Sequence, residues 1–136
     1  MKTIGIVGSR RRDSKADYEA TRKIFFSIYE EGDRIVSGHC PKGGDRFAEM
    51  IAEELDLTEE NGGLILHRPD WKKYGRAAGI IRNTPIAEDA DILIAVVAAD
   101  RKGGTEDTVK KSTKMGKQIL LVPQIPIEDF DPLDEV

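Results

Sequence analysis

Two glycine loops are the stretches of this sequence whose residue types could do chemistry. Residues 42–45 read Lys-Gly-Gly-Asp and residues 102–105 read Lys-Gly-Gly-Thr. Each is predicted to open a helix after a buried strand. Glycine lets backbone approach a ligand closely, and a helix N-terminus favours an anion by ~0.3–1 kcal/mol per charge. The loops therefore predict a phosphate-binding site, with simple tight turns as the alternative.

A third loop follows the first apolar segment, where Gly8, Ser9 and Arg10 come directly after residues 3–7. A first strand that ends in this way is typical of nucleotide-binding α/β folds. The chain lacks both G-x-G-x-x-G and G-x-x-x-x-G-K-[ST], so a dinucleotide is not implied and the P-loop NTPases are excluded. Of the arginine run 10–12, only Arg10 is expected to meet phosphate, with its two neighbours solvated.

Aromatic residues mark a polar stretch at 68–76. Trp71 or Tyr74 could stack on a base, worth ~1–3 kcal/mol, although Trp71 could instead fill the gap between loop and sheet. Arg82 lies about one helical turn after this loop and is predicted to face a ligand. The alternative is a structural ion pair of Arg82 with Asp45 or Asp107.

Metal and thiol chemistry have little support in the sequence. His39, Cys40 and His67 are too few for a closed zinc site, so no metal and no required cofactor are expected. Cys40 has no identifiable partner base and is not predicted to be a nucleophile.

The composition is that of one globular domain with a real core. The chain has 136 residues, of which 39% are hydrophobic and 34% charged. Its net charge of −4 gives no overall attraction to nucleic acid or to an anionic membrane. No apolar run has the length of a membrane span, and the start lacks a signal-peptide pattern. The single cysteine excludes an intramolecular disulfide, and the expected location is cytoplasmic.

The elements that must position these residues alternate along the chain. Strands are predicted at 3–7, 34–37, 64–67, 91–97 and 118–122. The fold class that follows is α/β: a three-layer Rossmann-like parallel sheet of about five strands, in the order 3-2-1-4-5, with helices on both faces. Strands 1 and 4 then flank the topological switch point, where the glycine loops converge.

The helix ends carry specific predictions. Asp13 or Ser14 is expected to cap the first helix, and Thr105 the last. The second helix is predicted from about residue 44 to 56. Residues 77–90 are predicted as one irregular helix containing Pro85, with a break before Pro85 as the alternative. Residues 1–125 form the single domain, and 126–136 form an acidic, irregular tail.

Motifs in a fixed order resemble the SLOG superfamily of Rossmann-like nucleotide-binding proteins, in particular its small single-domain bacterial and phage branch. They are Val-Gly-Ser-Arg at 7–10, Ser-Gly-x4-Gly-x-Asp-Arg-x-Ala at 37–48, Trp-x2-Tyr-Gly-x2-Ala-Gly-x2-Arg-Asn at 71–83, Asp-x-Leu-Ile-Ala at 91–95 and Gly-Gly-Thr at 103–105. The block at 71–83 is the most specific. This superfamily includes the LOG phosphoribohydrolases, often mislabelled lysine decarboxylases, and the DNA-processing protein DprA.

The resemblance implies a pocket for a nucleotide or a nucleotide derivative such as an ADP-ribose-like ligand. It also implies a possible homodimer, because members of the superfamily often dimerise. On the matching positions Asp45 would accept hydrogen bonds from ribose or fix its loop. The implied ligand-binding residues are Gly8, Ser9, Arg10, Ser37, Gly38, Gly43, Asp45, Trp71, Tyr74, Arg82, Asn83, Gly103, Gly104 and Thr105.

The sequence departs from the superfamily pattern at two places. His39-Cys40-Pro41 follows Gly38 where a further small residue is more usual. Asp107 stands where the phosphoribohydrolases carry their working glutamate, one methylene longer. The expected function is therefore a nucleotide-binding or sensor domain. The alternatives are a nucleoside 5′-monophosphate phosphoribohydrolase with Arg82 and Asp107 as catalytic residues, and a DNA-processing module, which the negative charge disfavours.

Overall fold

A parallel sheet forms the centre of the molecule. The computed structural model describes residues 1–125, so the predicted acidic tail lies outside the described residues. The strands are β1 (Thr3–Gly8), β2 (Arg34–Gly38), β3 (Leu64–His67), β4 (Ile92–Val96) and β5 (Gln118–Leu121). All neighbouring pairs are parallel, and the order is β3-β2-β1-β4-β5. The predicted topology is confirmed.

The helices cover both faces of this sheet, as predicted. They are α1 (Lys15–Ile28), α2 (Gly44–Glu54), α3 (Trp71–Tyr74), α4 (Ala78–Asp89) and α5 (Gly104–Lys114). One core holds Phe25 of α1 and Phe47 of α2 against Ile94 of β4. The other holds Ile86 of α4 against Leu93 of the same strand. Successive residues of a strand point to opposite faces, so a continuous apolar run such as β4 supplies both cores.

The first helix begins with a reciprocal cap. Ser14 accepts a hydrogen bond from the backbone N–H of Asp17, and the Asp17 carboxylate accepts one from the backbone of Ser14. Asp13, the other predicted cap, instead accepts a bond from the backbone N–H of Gly43 at 2.8 Å. Asp13 therefore ties the loop after β1 to the start of α2.

The stretch predicted as an irregular loop at 68–76 is largely helical. Asp70 caps α3 by accepting from the backbone N–H of Lys73 at 3.0 Å, and a 3₁₀ turn at Gly75–Ala77 leads into α4. The prediction missed this because a single four-residue turn has no periodicity to detect. The single helix containing Pro85 is confirmed, since α4 runs from Ala78 to Asp89 without a break.

The cap predicted for α5 is wrong. Gly103 is the N-cap residue, with φ at 115°, and Thr105 lies inside the helix. That backbone conformation is readily open to glycine and rarely to other residues, so the helix begins two positions earlier than a threonine cap requires.

The start of α2 packs backbone against backbone on the end of β1. A Cβ added to Gly44 would lie 2.3 Å from the backbone nitrogen of Gly8, and one added to Gly43 would lie 2.4 Å from the carbonyl oxygen of Ser9. A Cβ added to Gly104, the first residue of α5, would meet no atom within 4 Å. The first glycine pair therefore serves contact between loops, and the second leaves open space.

This difference gives a matched pair of substitutions. We expect Gly44→Ala to lower the free energy of unfolding by about 1–3 kcal/mol or more, because the new methyl group meets backbone that cannot rotate away. Gly104→Ala occupies the same position of its helix in open space, and we expect a change within about 0.5 kcal/mol. Urea unfolding monitored by circular dichroism measures both. Equal losses for the two variants would contradict the packing described.

Candidate functional site

A cavity of about 400 Å³ lies at the carboxyl edge of the sheet, where β1 and β4 are neighbours. Its walls come from the loops after β1, β2 and β4 and from α3 and α4. The predicted site residues that line it are Gly8, Ser9, Arg10, Asp45, Trp71, Arg82, Asn83, Gly103, Gly104 and Thr105. Parallel strands bring their carboxyl ends to one edge, so residues far apart in the sequence meet here.

Three predicted residues lie behind the lining. Ser37 is fully buried and its hydroxyl lies 3.0 Å from Oδ1 of Asp45. Gly38 makes room for Arg82, because a Cβ there would lie 2.2 Å from Nη1 of that arginine. Gly43 supports the first loop, as described above. These residues hold the site without being among the described residues that line it.

Arg82 is the least satisfied polar side chain at the site. Its side chain is 15% exposed, and its Nη1 lies 3.9 Å from Oδ2 of Asp45. Its Nε and Nη1 are buried and make no hydrogen bond within residues 1–125. Arg82 faces Asp45, its alternative structural partner, and also lines the cavity, while its predicted role toward a ligand stays a prediction. A buried donor without a partner costs about 1–3 kcal/mol, more when charged, so an anion would be stabilised here.

Asp45 is a buried carboxylate with incomplete charge compensation. Burial raises its pKa above the ordinary value, while Arg82, the Ser37 hydroxyl and the backbone N–H of Cys40 act in the opposite direction. The net direction is upward, and the negative charge of Glu49 adds to it. Asp45 therefore holds its proton more tightly than an exposed aspartate does.

The start of α5 faces the cavity with an open N-terminus. No side chain caps it, and Gly103 and Gly104 have no atoms in the space that a Cβ would occupy. The Asn83 amide donates to the carbonyl of Gly104 at 3.3 Å and so fixes the loop. Free backbone N–H groups at the end of an eleven-residue helix favour a negatively charged group.

Asp107 lies away from the lining. Its Oδ2 is 2.8 Å from Nζ of Lys111 and 3.1 Å from Nδ2 of Asn83. Both contacts are made on the side of α5 that packs near α4. This placement favours a structural role for Asp107 over the predicted catalytic one.

Trp71 stands at the rim with 54% of its surface exposed. The alternative that it fills a gap between loop and sheet is therefore wrong. The indole lies across α4, where a Cβ added to Gly79 would come 3.6 Å from its ring. Tyr74 is not among the described lining residues, and its ring centroid lies 5.0 Å from Nζ of Lys73. Only Trp71 of the two aromatics is placed for stacking.

Several lining residues were not predicted. They are Arg11, Cys40, Arg76, Ile80, Ile86, Lys102 and Thr108, with Val7 and Gly79. The signal for Lys102 was present, since it precedes the glycine pair. Counting all described lining residues, the cationic side chains are Arg10, Arg11, Arg76, Arg82 and Lys102, whereas Asp45 supplies the carboxylate. A cavity of positive character thus lies in a chain whose net charge is −4.

The arginine run divides into three different environments. Arg10 is exposed and lines the cavity, as predicted. Arg11 is also exposed and pairs with Asp100 at 2.7 Å. Arg12 was expected to be solvated and this is wrong: it is 5% exposed, its Nε lies 2.9 Å from Asp17 and its Nη1 lies 2.9 Å from the carbonyl of Val122. Arg12 binds the first loop to the ends of distant strands.

The histidines are engaged elsewhere. Nδ1 of His39 lies 3.2 Å from Glu49, and Nε2 of His67 lies 2.6 Å from Asp89. Within residues 1–125 no group of three or more His, Cys, Asp or Glu side chains is placed to hold a metal ion. Over the same residues, no helix combines the length and apolarity needed to cross a bilayer.

Comparison with known proteins identifies a relative of similar length. No protein-family model matches the chain. The Gene 61 protein of Mycobacterium phage D29 is 29% identical over 128 residues, spanning 88% of this chain and 95% of the phage protein. The name of that protein states no activity, so the similarity carries no function to this chain.

The buried and exposed arginines of the first loop give a second matched pair. We expect Arg12→Met to lower the free energy of unfolding by about 3–5 kcal/mol, because it leaves the buried Asp17 carboxylate without its cation. Arg11→Met removes an exposed ion pair, and we expect a loss of at most about 1 kcal/mol. Chemical unfolding of both variants makes the comparison. A loss for Arg11→Met as large as that for Arg12→Met would show that the exposed pair stabilises the loop equally.

Proposed function

We propose that the cavity binds a nucleotide or a nucleotide derivative, of ADP-ribose-like or nucleoside-phosphate type, and that the protein works as a binding or sensor domain. The observation that carries this proposal is the buried guanidinium of Arg82, whose Nε and Nη1 have no hydrogen-bond partner within the described residues. A phosphate oxygen supplies the acceptors that these nitrogens lack.

The surroundings of Arg82 suit the phosphate end of such a ligand. The open N-terminus of α5 offers backbone N–H groups through Gly104 and Thr105, and Arg10 and Lys102 add positive charge at the mouth. A helix N-terminus together with cationic side chains is a common phosphate site in proteins. The resemblance to the SLOG superfamily supports the same assignment.

Other lining residues of the cavity suit a base. Trp71 presents half of its surface at the rim, and Ile80 and Ile86 supply apolar lining. Stacking of a base on an aromatic ring contributes ~1–3 kcal/mol and tolerates different bases. A ligand with a planar base and one or two phosphates would therefore contact both the cationic and the apolar lining residues.

The alternative of a phosphoribohydrolase has weaker support from the geometry. Asp107 is held by Lys111 and Asn83 outside the lining, so cleavage would need another carboxylate. Asp45 is the carboxylate among the described lining residues. Chromatography of nucleoside monophosphates after long incubation decides this point, because hydrolysis releases free base and ribose 5-phosphate. The homodimer and the cytoplasmic location stay predictions.

The test is a thermal-shift screen with AMP, ADP, GMP, GDP and ADP-ribose. We expect at least one of them to stabilise the protein by about 2.7 kcal/mol at a hundredfold excess over its Kd. Arg82→Gln keeps a polar side chain but shortens it and removes the charge, and we expect it to lose this stabilisation. The matched control is Arg22→Gln, which removes an exposed arginine of α1 that pairs with Glu54 of α2. This variant should keep the stabilisation by the nucleotide. No shift with any compound would refute the proposal.

The single tryptophan and the single cysteine of the chain can serve as probes for the place where a ligand binds. Trp71 and Cys40 both line the cavity. We expect a bound nucleotide to change the Trp71 fluorescence and to slow the reaction of Cys40 with a thiol reagent. The Arg82→Gln variant should show neither effect at the same ligand concentration. Stabilisation by a nucleotide with an unchanged rate of Cys40 modification would place the ligand elsewhere.

A further inference from the structure

Arg82 and Asp45 form an incomplete pair at the inner end of the cavity. Their nearest charged atoms, Nη1 and Oδ2, are 3.9 Å apart, which is too far for a hydrogen bond. Asp45 receives its hydrogen bonds from the Ser37 hydroxyl and the Cys40 backbone N–H instead. The carboxylate is thus held by other donors, while Arg82 supplies charge compensation without being satisfied itself.

Both groups are fixed against the same glycine. A Cβ at Gly38 would lie 2.2 Å from Nη1 of Arg82 and 2.7 Å from Oδ2 of Asp45. The two side chains therefore lie side by side over bare backbone, and Asp45 is only 6% exposed. An anion that binds the free nitrogens of Arg82 comes to rest close to a buried carboxylate.

Two negative charges then share one buried cation. A like charge nearby disfavours the ionised form of a carboxyl group, and burial weakens the screening by solvent. We propose that an anionic ligand enters this cavity together with a proton, which Asp45 takes up. This inference rests on the proposed function, because it needs an anion on Arg82.

Of the other charged groups around Asp45, Glu49 acts in the same direction, whereas Arg82 acts against it with a charge that stays constant. Glu49 lies on the same helix as Asp45, and its negative charge raises the pKa of Asp45. Nδ1 of His39 lies 3.2 Å from the Glu49 carboxylate. Arg82 of α4 keeps its own proton at any ordinary pH. Burial already raises the pKa of Asp45 in the free protein, so the ligand acts on a group prepared to accept a proton.

The proton balance of the step is simple. A proton from solvent bonds to a carboxylate oxygen of Asp45, no bond of the ligand breaks, and the ligand charge replaces the Asp45 charge beside Arg82. The binding affinity is then greatest where Asp45 is already protonated in the free protein. It falls, by at most tenfold per pH unit, between the pKa of Asp45 in the free protein and its higher pKa in the complex.

The experiment is isothermal titration calorimetry in buffers of different ionisation enthalpy, repeated between about pH 5 and about pH 8. ADP-ribose and ADP are the probes. The diphosphate of ADP-ribose has no terminal phosphate with a second pKa near about 6, so its own protonation does not obscure the result. We expect the observed binding enthalpy to vary with the ionisation enthalpy of the buffer. The slope gives the number of protons taken up for each ligand bound, and we expect a value between zero and one.

Three variants assign the proton. Asp45→Asn mimics the protonated group, and we expect it to bind ADP-ribose with no buffer dependence and no loss of affinity at the upper pH. Glu49→Gln should keep the proton uptake. Asp56→Asn is the matched control on an exposed aspartate at φ 56°, a conformation that asparagine tolerates, and it should behave as the unsubstituted protein.

Each other outcome has a definite meaning. Binding with equal heats in all buffers at every pH overturns the proton coupling and leaves the proposed function standing. Uptake that persists in Asp45→Asn but disappears in Glu49→Gln assigns the proton to Glu49 and overturns the role of Asp45. Loss of binding in a folded Asp45→Asn variant shows that the carboxylate contacts the ligand directly, which also overturns the proposal. No heat with either probe in any buffer overturns the coupling, and the thermal-shift screen with all five compounds then decides the proposed function separately.

Discussion

The contact between the end of β1 and the start of α2 determines where this molecule can hold a ligand. Gly8 and Gly44 meet with no side chain between them, and the loop after β1 lies over the first turn of α2. One of the two helix N-termini that the sequence predicted for an anion is thereby covered by backbone. The start of α5, on the other side of the switch point, is left open. The contact between these two glycines thus leaves the carboxyl edge of the sheet closely packed at the start of α2 and open at the start of α5.

The cavity at this edge retains a group that reduces stability, the buried guanidinium of Arg82. A buried guanidinium with two unpartnered nitrogens costs free energy, and replacement of buried ionic groups by apolar ones often stabilises a protein. Arg82 is nevertheless given its place by Gly38, whose missing Cβ is the space that the guanidinium occupies. Departures from good packing and full hydrogen bonding are expected where a protein binds something, and here the departure lies in the cavity at the carboxyl edge of the sheet.

The sheet could be predicted because its sequence signals are local. The different roles of residues with similar sequence surroundings could not be predicted. Continuous apolar runs such as 92–97, alternating with helices, predict the strands, and the rules for parallel connections limit the orders that these strands can take. The two Lys-Gly-Gly loops look alike in sequence, yet one packs on β1 and the other faces open space. Arg12 could not be told from Arg11 because its acceptors at Val97 and Val122 come from strands that are distant in the chain. Such differences depend on neighbours that only the folded chain supplies.

The distribution of charge argues for a small ligand over a polyanion. The chain carries a net charge of −4, while the charged side chains among the described lining residues of the cavity are mainly cationic. Screening limits exposed charges to a range of about 8 Å at physiological salt, so a group inside the cavity senses chiefly the arginines around it. A nucleic acid would have to lie along the outer surface, where acidic residues prevail and few counterions would be released. A nucleotide bound as proposed would meet Arg82 and the open end of α5 without that cost, so the charge distribution favours the proposed nucleotide pocket over a nucleic-acid module.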